Sequence, residues 1–492
     1  MQALADQGVR YCHWKSNLRL AVSLDGRTDL DLLVDRRDAR RFRALLLEHD
    51  VKPVLAPPGK RYPGLEDYLG FDAESGRMFH LHVHYQLVLG EQFVKNYRLP
   101  LEERFLASAR PRDGVMVPAP ELELIVLALR AMLKYRDRDV VKDVLKIRSP
   151  GIPEPILEEV RHLLAQTTAE QVESALAAVD GVVPSEVVQE ALRLLTESPR
   201  AGYRLFYLRR RTRQALRPFQ RTSRLRASLT YLHELWNRRN AFLRLMPARG
   251  MTSAQGGLSF ALVGADGAGK STLSALLAEW LGWKLDVHAH YLGSKQPSRR
   301  SRALYIVFRM ARRSQRHAGQ WFGEKSLPAK ALASLRDGLL GVYHISIGWD
   351  RMARYKAGVR QALSGSVVLY DRFPLESIRS DAGFRLLDGP QISSNGNGRG
   401  FVMPRLAAAE ERLYRRMRPP DILFVLDVNP EVALQRKPDH ERSAVEAKSR
   451  AIGELAAMDS DAPSEFRLVH VDAGQPLDAV LRRLKAQLWK AL

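Results

Sequence analysis

The sequence predicts an α/β protein whose C-terminal half is built on a parallel sheet. Three observations predict this class. Short apolar segments alternate with longer amphipathic ones after residue 258, a glycine-rich loop follows the first of them, and the N-terminal half mixes strands with helices. We therefore expect an α+β domain over 1–145, a helical basic connector over 146–250 and an α/β domain over 251–492.

The composition is that of a globular protein. Apolar residues make up 45% of the 492 residues and charged residues 27%, which excludes a fibrous or disordered chain. The single cysteine, Cys12, excludes an intrachain disulfide and favours a reducing compartment. The longest uncharged apolar segment, Gly338–Trp349, is shorter than the roughly 20 residues of a membrane span, and no signal peptide is evident. These features predict a cytoplasmic protein.

The N-terminal part carries a pair of carboxylates on a predicted strand. Leu30–Val34 is an apolar run and Phe79–Leu87 alternates, so both are predicted to be strands. Asp29 and Asp31 are two residues apart and therefore share one strand face. Such a pair can hold two metal ions for phosphoryl or nucleotidyl transfer.

Trp14–Asn17 precedes these carboxylates. With this arrangement, roughly residues 1–145 resemble the nucleotidyltransferase superfamily. The resemblance implies a second nucleotide site at Asp29 and Asp31. The chain departs from it where Ser16-Asn17 replaces the usual Gly-Ser, and where His82 stands near the expected third acid. An active transferase and a degenerate binding or scaffold domain are both kept as hypotheses.

Three histidines alternate along the second of these strands. His80, His82 and His84 would project from one face, and imidazoles are good ligands for transition metals. Side chains two apart on a strand usually splay too far for one ion, so we expect packed or hydrogen-bonded histidines instead.

The middle of the chain is predicted to be helical, with a strongly basic end. Residues 201–250 hold thirteen arginines and one acidic residue, Glu234. Three interpretations stay open. The region is a helix packed between domains, or it binds the anionic inner face of a membrane, or, less favoured, it binds nucleic acid. Gly250–Gly257 is predicted to be a linker. The predicted helices are Glu121–Lys134, Ile156–Leu164, Ala169–Val179 and Ser185–Leu195.

The C-terminal part alternates strands with helices. This order predicts a parallel sheet with helices on both faces. The predicted strands are Ser259–Val263, Asp286–Tyr291, Ser366–Tyr370, Ile422–Asp427 and Arg467–Val471.

A phosphate-binding loop follows the first of these strands. Gly264–Ser271 matches the pattern GxxxxGK[ST] between the apolar run Leu258–Val263 and the helical run Thr272–Leu281. Glycines let backbone N–H groups surround phosphate oxygens, and the helix N-terminus adds a positive dipole end. We expect Lys270 to reach the β- and γ-phosphates of ATP and Ser271 to hold Mg²⁺. The predicted ATP-binding residues are Gly264, Asp266, Gly267, Ala268, Gly269, Lys270, Ser271 and Thr272.

A second charged pair follows a later strand. Asp371 and Arg372 come directly after Ser366–Tyr370, and the carboxyl ends of parallel strands face the ligand crevice. We expect Asp371 to hold Mg²⁺ through its water shell and Arg372 to clamp an acceptor phosphate. The alternative is a strand-end salt bridge.

In order and spacing, Gly264–Thr272, Asp371–Phe373, Pro420–Arg436 and Val471–Pro476 resemble thymidylate kinases, over roughly residues 258–492. The resemblance implies an NMP-kinase fold and phosphoryl transfer from ATP to a nucleoside monophosphate, dTMP or a related one. It also implies residue roles. Arg351 and Arg372 would bind the acceptor phosphate, Asp266 its sugar, and Arg436, with Lys437 and Arg442, would close a lid over ATP.

The region after the second strand departs from that family. His290–Lys295 stands where thymidylate kinases carry an Arg-Glu-Pro-Gly-type segment, so the acceptor stays open. We keep three alternatives: a kinase for a sugar hydroxyl in surface-polysaccharide metabolism, a nucleotidyltransferase with a regulatory ATP-binding half, and a nucleotide-gated module without turnover. A homodimer is also kept open.

Overall fold

The computed structural model divides the chain into two compact units, Met1–Arg249 and Gly250–Leu492. Each unit is described by itself. The residues that the structure describes are 1–57, 60–90, 94–134, 152–197, 202–240, 250–265, 267–293, 296–323, 326–374, 402–436, 442, 445–446, 449–450, 452 and 467–492.

The N-terminal unit is built on a mixed sheet whose strands have the order β1-β2-β5-β4-β3. β2 and β5 are parallel, and the other neighbours are antiparallel. The register places Asp31 of β2 and Asp67 of β4 on either side of His82 of β5. The strands are β1 Tyr11–His13, β2 Leu30–Val34, β3 Lys52–Leu55, β4 Leu65–Asp72, β5 Arg77–His84, β6 Leu87–Leu89, β7 Tyr97–Leu99, β8 Arg110–Arg112 and β9 Val115–Val117.

One predicted strand of this unit is divided. Phe79–Leu87 was expected to be continuous, but β5 ends at His84 and β6 begins at Leu87. The two segments pair differently, because β6 leaves the main sheet to form a hairpin with β7. The prediction of one strand was therefore wrong beyond His84.

The helices of the N-terminal unit pack onto one shared core. α5 is almost wholly buried, as its nearly continuous apolar sequence requires. Leu205, Leu208 and Leu216 of the basic region join the same core as Trp14 and Leu33. The helices are α1 Gln2–Asp6, α2 Leu20–Leu24, α3 Ala39–Glu48, α4 Glu102–Ser108, α5 Pro120–Lys134, α6 Glu154–Leu164, α7 Ala169–Val179, α8 Ser185–Glu197, α9 Gly202–Ala215 and α10 Arg224–Asn240.

Residues 146–249 therefore fall in the same compact unit as 1–145. The expected connector shares a core with the preceding domain, because the apolar face of α9 packs inward. Of the arginines on α9, Arg204 and Arg210 are exposed, Arg211 and Arg213 are half-buried, and Arg209 is buried. α10 differs from α9, since Leu225, Leu229, Leu232 and Trp236 on it are all exposed.

The C-terminal unit contains the predicted parallel sheet. Its strands have the order β12-β13-β11-β14-β15, and every neighbouring pair is parallel. The α/β prediction is confirmed. The short segment Thr252–Ser253 of the predicted linker is also a strand, β10. The sheet strands are β11 Leu258–Gly264, β12 Val287–Tyr291, β13 Val367–Asp371, β14 Ile422–Asp427 and β15 Arg467–Asp472.

Helices connect the strands of this sheet. α12 and α13 are the longest in this unit's described part, with 24 and 37 residues, and they pack against each other. None of the described helices is long and apolar enough to cross a membrane. The helices are α11 Lys270–Gly282, α12 Arg299–Phe322, α13 Leu327–Leu363, α14 Val402–Tyr414, α15 Pro430–Arg436 and α16 Leu477–Ala491.

Candidate functional site

The glycine-rich loop leaves the central strand of the parallel sheet. β11 ends at Gly264, and α11 begins at Lys270. Gly267 and Gly269 have φ angles of +92° and +83°, which side-chain-bearing residues rarely adopt. A Cβ on Gly267 would lie 2.6 Å from the Ala433 carbonyl oxygen. The loop thus needs glycine at Gly267 for both conformation and space.

Lys270 folds back over this loop. Its Nζ donates hydrogen bonds to the carbonyl oxygens of Gly264, at 2.8 Å, and Ala265, at 2.7 Å. The side chain is 9% exposed, so the ammonium is held inside the concave face of the loop. Phosphate oxygens entering that face would meet a positive charge and the first turn of α11 together.

Asp371 lies at the end of the neighbouring strand. The register of β11 and β13 pairs Leu262 with Asp371, two residues before Gly264. Its Oδ1 is buried and has no hydrogen-bond partner among the residues that the structure describes. Ser271, in the first turn of α11, is exposed. An unpartnered carboxylate oxygen and a hydroxyl are the oxygen donors that Mg²⁺ prefers, so these residues fit the metal.

Arg372 occupies a strained turn directly after Asp371. Its φ of +64° lies in the left-handed region, which is costly for a residue with a side chain. The turn brings Phe373 into the core, where its ring contacts those of Tyr370 and Tyr355. Strain of this kind is often found at functional sites.

The structure places Arg351 and Arg436 against other partners. Arg351 on α13 is 2% exposed; it donates a hydrogen bond to the Tyr414 hydroxyl, and its guanidinium lies 5.6 Å from the centre of that ring. Tyr414 in turn donates to Glu410 at 3.1 Å. Arg436, at the end of α15, is exposed and donates to the Ala473 carbonyl at 3.0 Å. Asp266 and Lys437 lie outside the described residues.

Two residues near Arg351 organise the segment after β12, and sequence reasoning missed them. Asp350 accepts hydrogen bonds from the Ser298 backbone N–H and the Ser301 hydroxyl, at 2.8 and 2.7 Å. Arg354 donates to the Tyr291 carbonyl at 2.9 Å. The signal available was the spacing of these residues along a single helix, which brings residues three and four apart onto one face.

A second polar cluster lies on the sheet of the N-terminal unit. Asp31 Oδ1 is 2.6 Å from Lys15 Nζ and 2.8 Å from His82 Nδ1. His84 Nε2 lies 3.2 Å from the same His82 nitrogen. The parallel pairing of β2 with β5 brings Asp31 next to His82, and His84 follows two residues later on β5. The predicted carboxylate Asp31 is therefore paired with a lysine and two histidines.

His80 connects the other carboxylates of this face. Its Nδ1 lies 2.9 Å from Asp29, and its Nε2 lies 3.0 Å from Asp67. Asp67 is a third carboxylate that the sequence analysis did not identify, because only the pairing of β4 with β5 brings it to the histidines. Asp67 lies on β4, which the sequence analysis did not predict as a strand.

Charge and burial set the protonation of this cluster. Burial raises the pKa of Asp31, but Lys15, His82 and His84 outweigh it and hold that pKa well below its usual range. Burial holds the pKa of His84 well below its ordinary value, so this imidazole is neutral. Burial opposes protonation of His80, yet its bonds to Asp29 and Asp67 raise its pKa.

Cations also gather around a cavity of about 160 Å³ in this unit. Lys15 Nζ and the Arg130 guanidinium lie 4.7 and 5.7 Å from the centre of the Trp14 ring. Burial, with the charges of neighbouring cations, lowers the pKa of Lys134 to about 8 and that of Lys95 to about 7. The cavity is lined in part by Ser16, Arg19, Arg130, Lys134 and Glu159.

Comparison with known proteins finds relatives that match less than half of this chain. No protein-family model matches the chain. The chain is 28% identical over 229 residues to "Uncharacterized ATP-binding protein YghS" of Escherichia coli (strain K12), covering 45% of this chain and 88% of that protein. It is 29% identical over 227 residues to "Uncharacterized ATP-binding protein YghR" of the same strain, covering 45% and 83%.

A solved structure with some likeness is the deoxyadenosine kinase from M. mycoides with bound dATP. The identity is 15%, the TM-score is 0.28, and the match covers 46% of this chain and 98% of that one. A likeness this weak says nothing about the site.

Proposed function

We propose that the C-terminal unit binds ATP with Mg²⁺ and transfers its γ-phosphoryl group to a small acceptor. The observation that carries this proposal is the loop after β11, whose Lys270 bonds to the Gly264 and Ala265 carbonyls. The neighbouring strand β13 ends in Asp371, whose buried Oδ1 has no partner in the described part of the chain. The Escherichia coli relatives YghS and YghR are described as ATP-binding proteins, which supports ATP as the nucleotide.

Each residue has a definite task in this proposal. Backbone N–H groups of the loop would hold the phosphates, with Lys270 exchanging the carbonyls of Gly264 and Ala265 for β- and γ-oxygens. Ser271 and Asp371 would hold Mg²⁺. When bound, this ion neutralises charge that develops on the phosphate oxygens. Arg372 would then orient the acceptor.

The proposed acceptor is a nucleoside monophosphate, dTMP or a related one. An oxygen of its phosphate forms a bond to the γ-phosphorus while the bond to the β–γ bridging oxygen breaks and ADP leaves. This oxygen carries no proton, so the reaction needs positioning rather than a base. A sugar hydroxyl would instead need a nearby carboxylate to take its proton.

In this proposal Arg351 binds the acceptor only if its guanidinium gives up its hydrogen bond to Tyr414. It now donates to the Tyr414 hydroxyl, and an acceptor phosphate would have to replace that hydroxyl. Arg436 would likewise leave the Ala473 carbonyl to close over ATP. Both arginines stay predictions for the acceptor and the lid.

The test is transfer of label from γ-labelled ATP to a panel of acceptors. The panel holds dTMP, the other nucleoside monophosphates, nucleosides and simple sugars. Labelled dTDP would support the proposed acceptor. Label on a sugar would keep the kinase and reject the nucleotide acceptor. ATP binding with no product from any acceptor would contradict the proposal and favour a nucleotide-gated module.

The nucleotidyltransferase alternative has a different signature. It would release pyrophosphate from ATP, and Asp29→Ala would abolish that activity while Lys270→Ala would not. In this alternative a catalytic metal would have to displace the Lys15 ammonium, which lies 2.6 Å from Asp31 Oδ1.

A further inference from the structure

We propose that Asp31, His82 and His84 form a binding site for one divalent transition-metal ion, such as Zn²⁺, in the N-terminal unit. This site is independent of the proposed kinase site, because all three ligands come from strands β2 and β5 of the other unit. A carboxylate oxygen and two imidazole nitrogens would bind the ion.

The donor atoms have the spacing of a coordination sphere. Asp31 Oδ1, His82 Nδ1 and His84 Nε2 form a triangle with sides of 2.8, 3.2 and 3.6 Å. Four ligands at about 2.0–2.1 Å around a tetrahedral ion are separated by about 3.3 Å. An ion above this triangle would therefore reach all three atoms with little movement of the side chains.

The strand geometry explains why two histidines of one strand can converge. Their rings are nearly perpendicular, with an interplanar angle of 77° and centres 4.5 Å apart. His82 presents Nδ1 and His84 presents Nε2, so the longer reach of Nε2 compensates for their separation along β5. The expectation that alternate histidines splay apart is therefore not met for this pair.

The donor set selects the class of metal. Imidazole nitrogen suits zinc, copper, iron and nickel, whereas Mg²⁺ and Ca²⁺ favour oxygen ligands. Two histidines and one carboxylate also leave a position open for water or another ligand. His82 retains 21% exposure of its side chain, which gives the ion a route from solvent.

The Lys15 ammonium occupies the position next to Asp31 that the metal ion would take. Its Nζ is 2.6 Å from the same Asp31 oxygen that would bind the metal, so the ammonium and the ion compete. The Lys15 ammonium also lies over the face of Trp14, which offers it a favourable contact on that side. Removing the lysine charge should therefore strengthen metal binding.

The test is titration of the chelator-treated full-length chain with Co²⁺ in the absence of ATP, followed by its visible absorption. The expected result is one tetrahedral cobalt per chain, displaced by an equivalent of Zn²⁺. His82→Ala and His84→Ala should each lower affinity by about 100-fold or more, since each removes a ligand. Lys15→Met should raise affinity.

His288→Ala is the matched control, because His288 pairs with Asp286 at 2.8 Å but belongs to the C-terminal unit. It should leave cobalt binding unchanged. His82→Cys supplies a second readout: a thiolate-to-cobalt charge-transfer band should appear, and the buried native Cys12 should give none in the unmodified chain.

Several results would overturn the inference. They are absence of stoichiometric cobalt binding by the unmodified chain, equal binding by folded His82→Ala, or weaker binding by folded Lys15→Met. Circular dichroism establishes folding of each variant. If His84→Ala does not fold, His82→Ala and His82→Cys decide, because His82 is the more exposed ligand.

Discussion

At the scale of single residues, the phosphate loop depends on backbone shapes that only glycine takes easily. Gly267 and Gly269 share a left-handed φ but differ in their surroundings. A Cβ added at Gly267 would lie 2.6 Å from the Ala433 carbonyl oxygen, whereas a Cβ added at Gly269 would have its nearest atom 3.9 Å away. The two positions therefore separate the cost of conformation from the cost of a clash.

Gly267→Ala should destabilise the C-terminal unit more than Gly269→Ala does. The left-handed conformation costs about 1–2 kcal/mol for alanine at either position. The added clash at Gly267 should raise its cost further, because the Ala433 carbonyl belongs to the backbone and cannot simply rotate away. Urea unfolding without nucleotide measures the difference, and equal costs for the two variants would contradict this explanation.

A second residue-scale prediction concerns Glu123 in the N-terminal unit. Burial raises its pKa to about 7, although its two oxygens accept hydrogen bonds from the Asn17 backbone and side chain. The folded chain therefore binds a proton that the unfolded chain releases near pH 4.5. The free energy of unfolding should fall as pH rises from about 4.5 to about 7, by up to roughly 3 kcal/mol.

Glu123→Gln should remove this part of the pH dependence, since the amide does not titrate. Urea unfolding of the N-terminal unit at several pH values between 4.5 and 8 gives the measurement. Glu121→Gln is the matched control, because Glu121 lies in the first turn of the same helix but is only half-buried, whereas Glu123 is buried. A variant that keeps the native slope would show that another group is responsible.

Single residues also show what sequence patterns can and cannot reveal. Lys270 and Asp371 were predicted because their motif is local, and the sheet places both at the same edge. The partner of Arg351 was not predicted, since Tyr414 lies 63 residues away on another helix. Asp67 was missed for the same reason: its contact with His80 depends on strand pairing rather than on spacing.

At the scale of elements, the basic region contains two helices with opposite environments. α9 buries Leu205 and Leu208 in the core, whereas α10 exposes Leu225 and Leu229. The number of arginines predicts the same basic, helical character for both helices and does not distinguish them. The distinction came from tertiary packing, because an apolar stripe has the same period whether or not a partner covers it.

Leu208→Ala should lower the free energy of unfolding of the N-terminal unit by about 2–5 kcal/mol, because it leaves a cavity in a core that excludes water. Its side chain is 1% exposed. Leu225→Ala, at a position that is 73% exposed, should change it by less than about 0.5 kcal/mol. Chemical denaturation compares the two. Similar effects would mean that α9 does not belong to this core.

Element boundaries were predicted best where periodicity was strong. Ala169–Val179 and Ile422–Asp427 are found with the predicted bounds. The division of β5 from β6 could not be predicted, because the alternation of apolar residues continues to Leu87 while the hydrogen-bond partner changes. Pairing choices of this kind depend on the whole sheet.

At the scale of the whole molecule, each unit carries its own polar site. The loop and Asp371 belong to Gly250–Leu492, and the cluster of Asp31 with the histidines belongs to Met1–Arg249. The alternation of strands and helices predicted the parallel sheet of one unit. The arrangement of the histidine cluster needed the strand order of the other, which no local pattern contains.

Chemistry at the two sites should be separable. Asp31→Asn should leave phosphoryl transfer within about twofold of the unmodified chain, because no step of the proposed transfer uses that residue. Lys270→Ala should leave cobalt binding unchanged. Parallel assays of both variants measure this. Loss of phosphoryl transfer in folded Asp31→Asn would show that the N-terminal unit takes part in the reaction.

The most direct measurement of the central claim is transfer of label from γ-labelled ATP by the full chain and by Lys270→Ala, with Lys330→Ala as the control. Lys330 is an exposed lysine of α13 outside the loop. The proposal predicts a labelled product, lost by about a thousandfold or more in Lys270→Ala and retained in Lys330→Ala. An equal rate in folded Lys270→Ala, or no product from any acceptor, would contradict it.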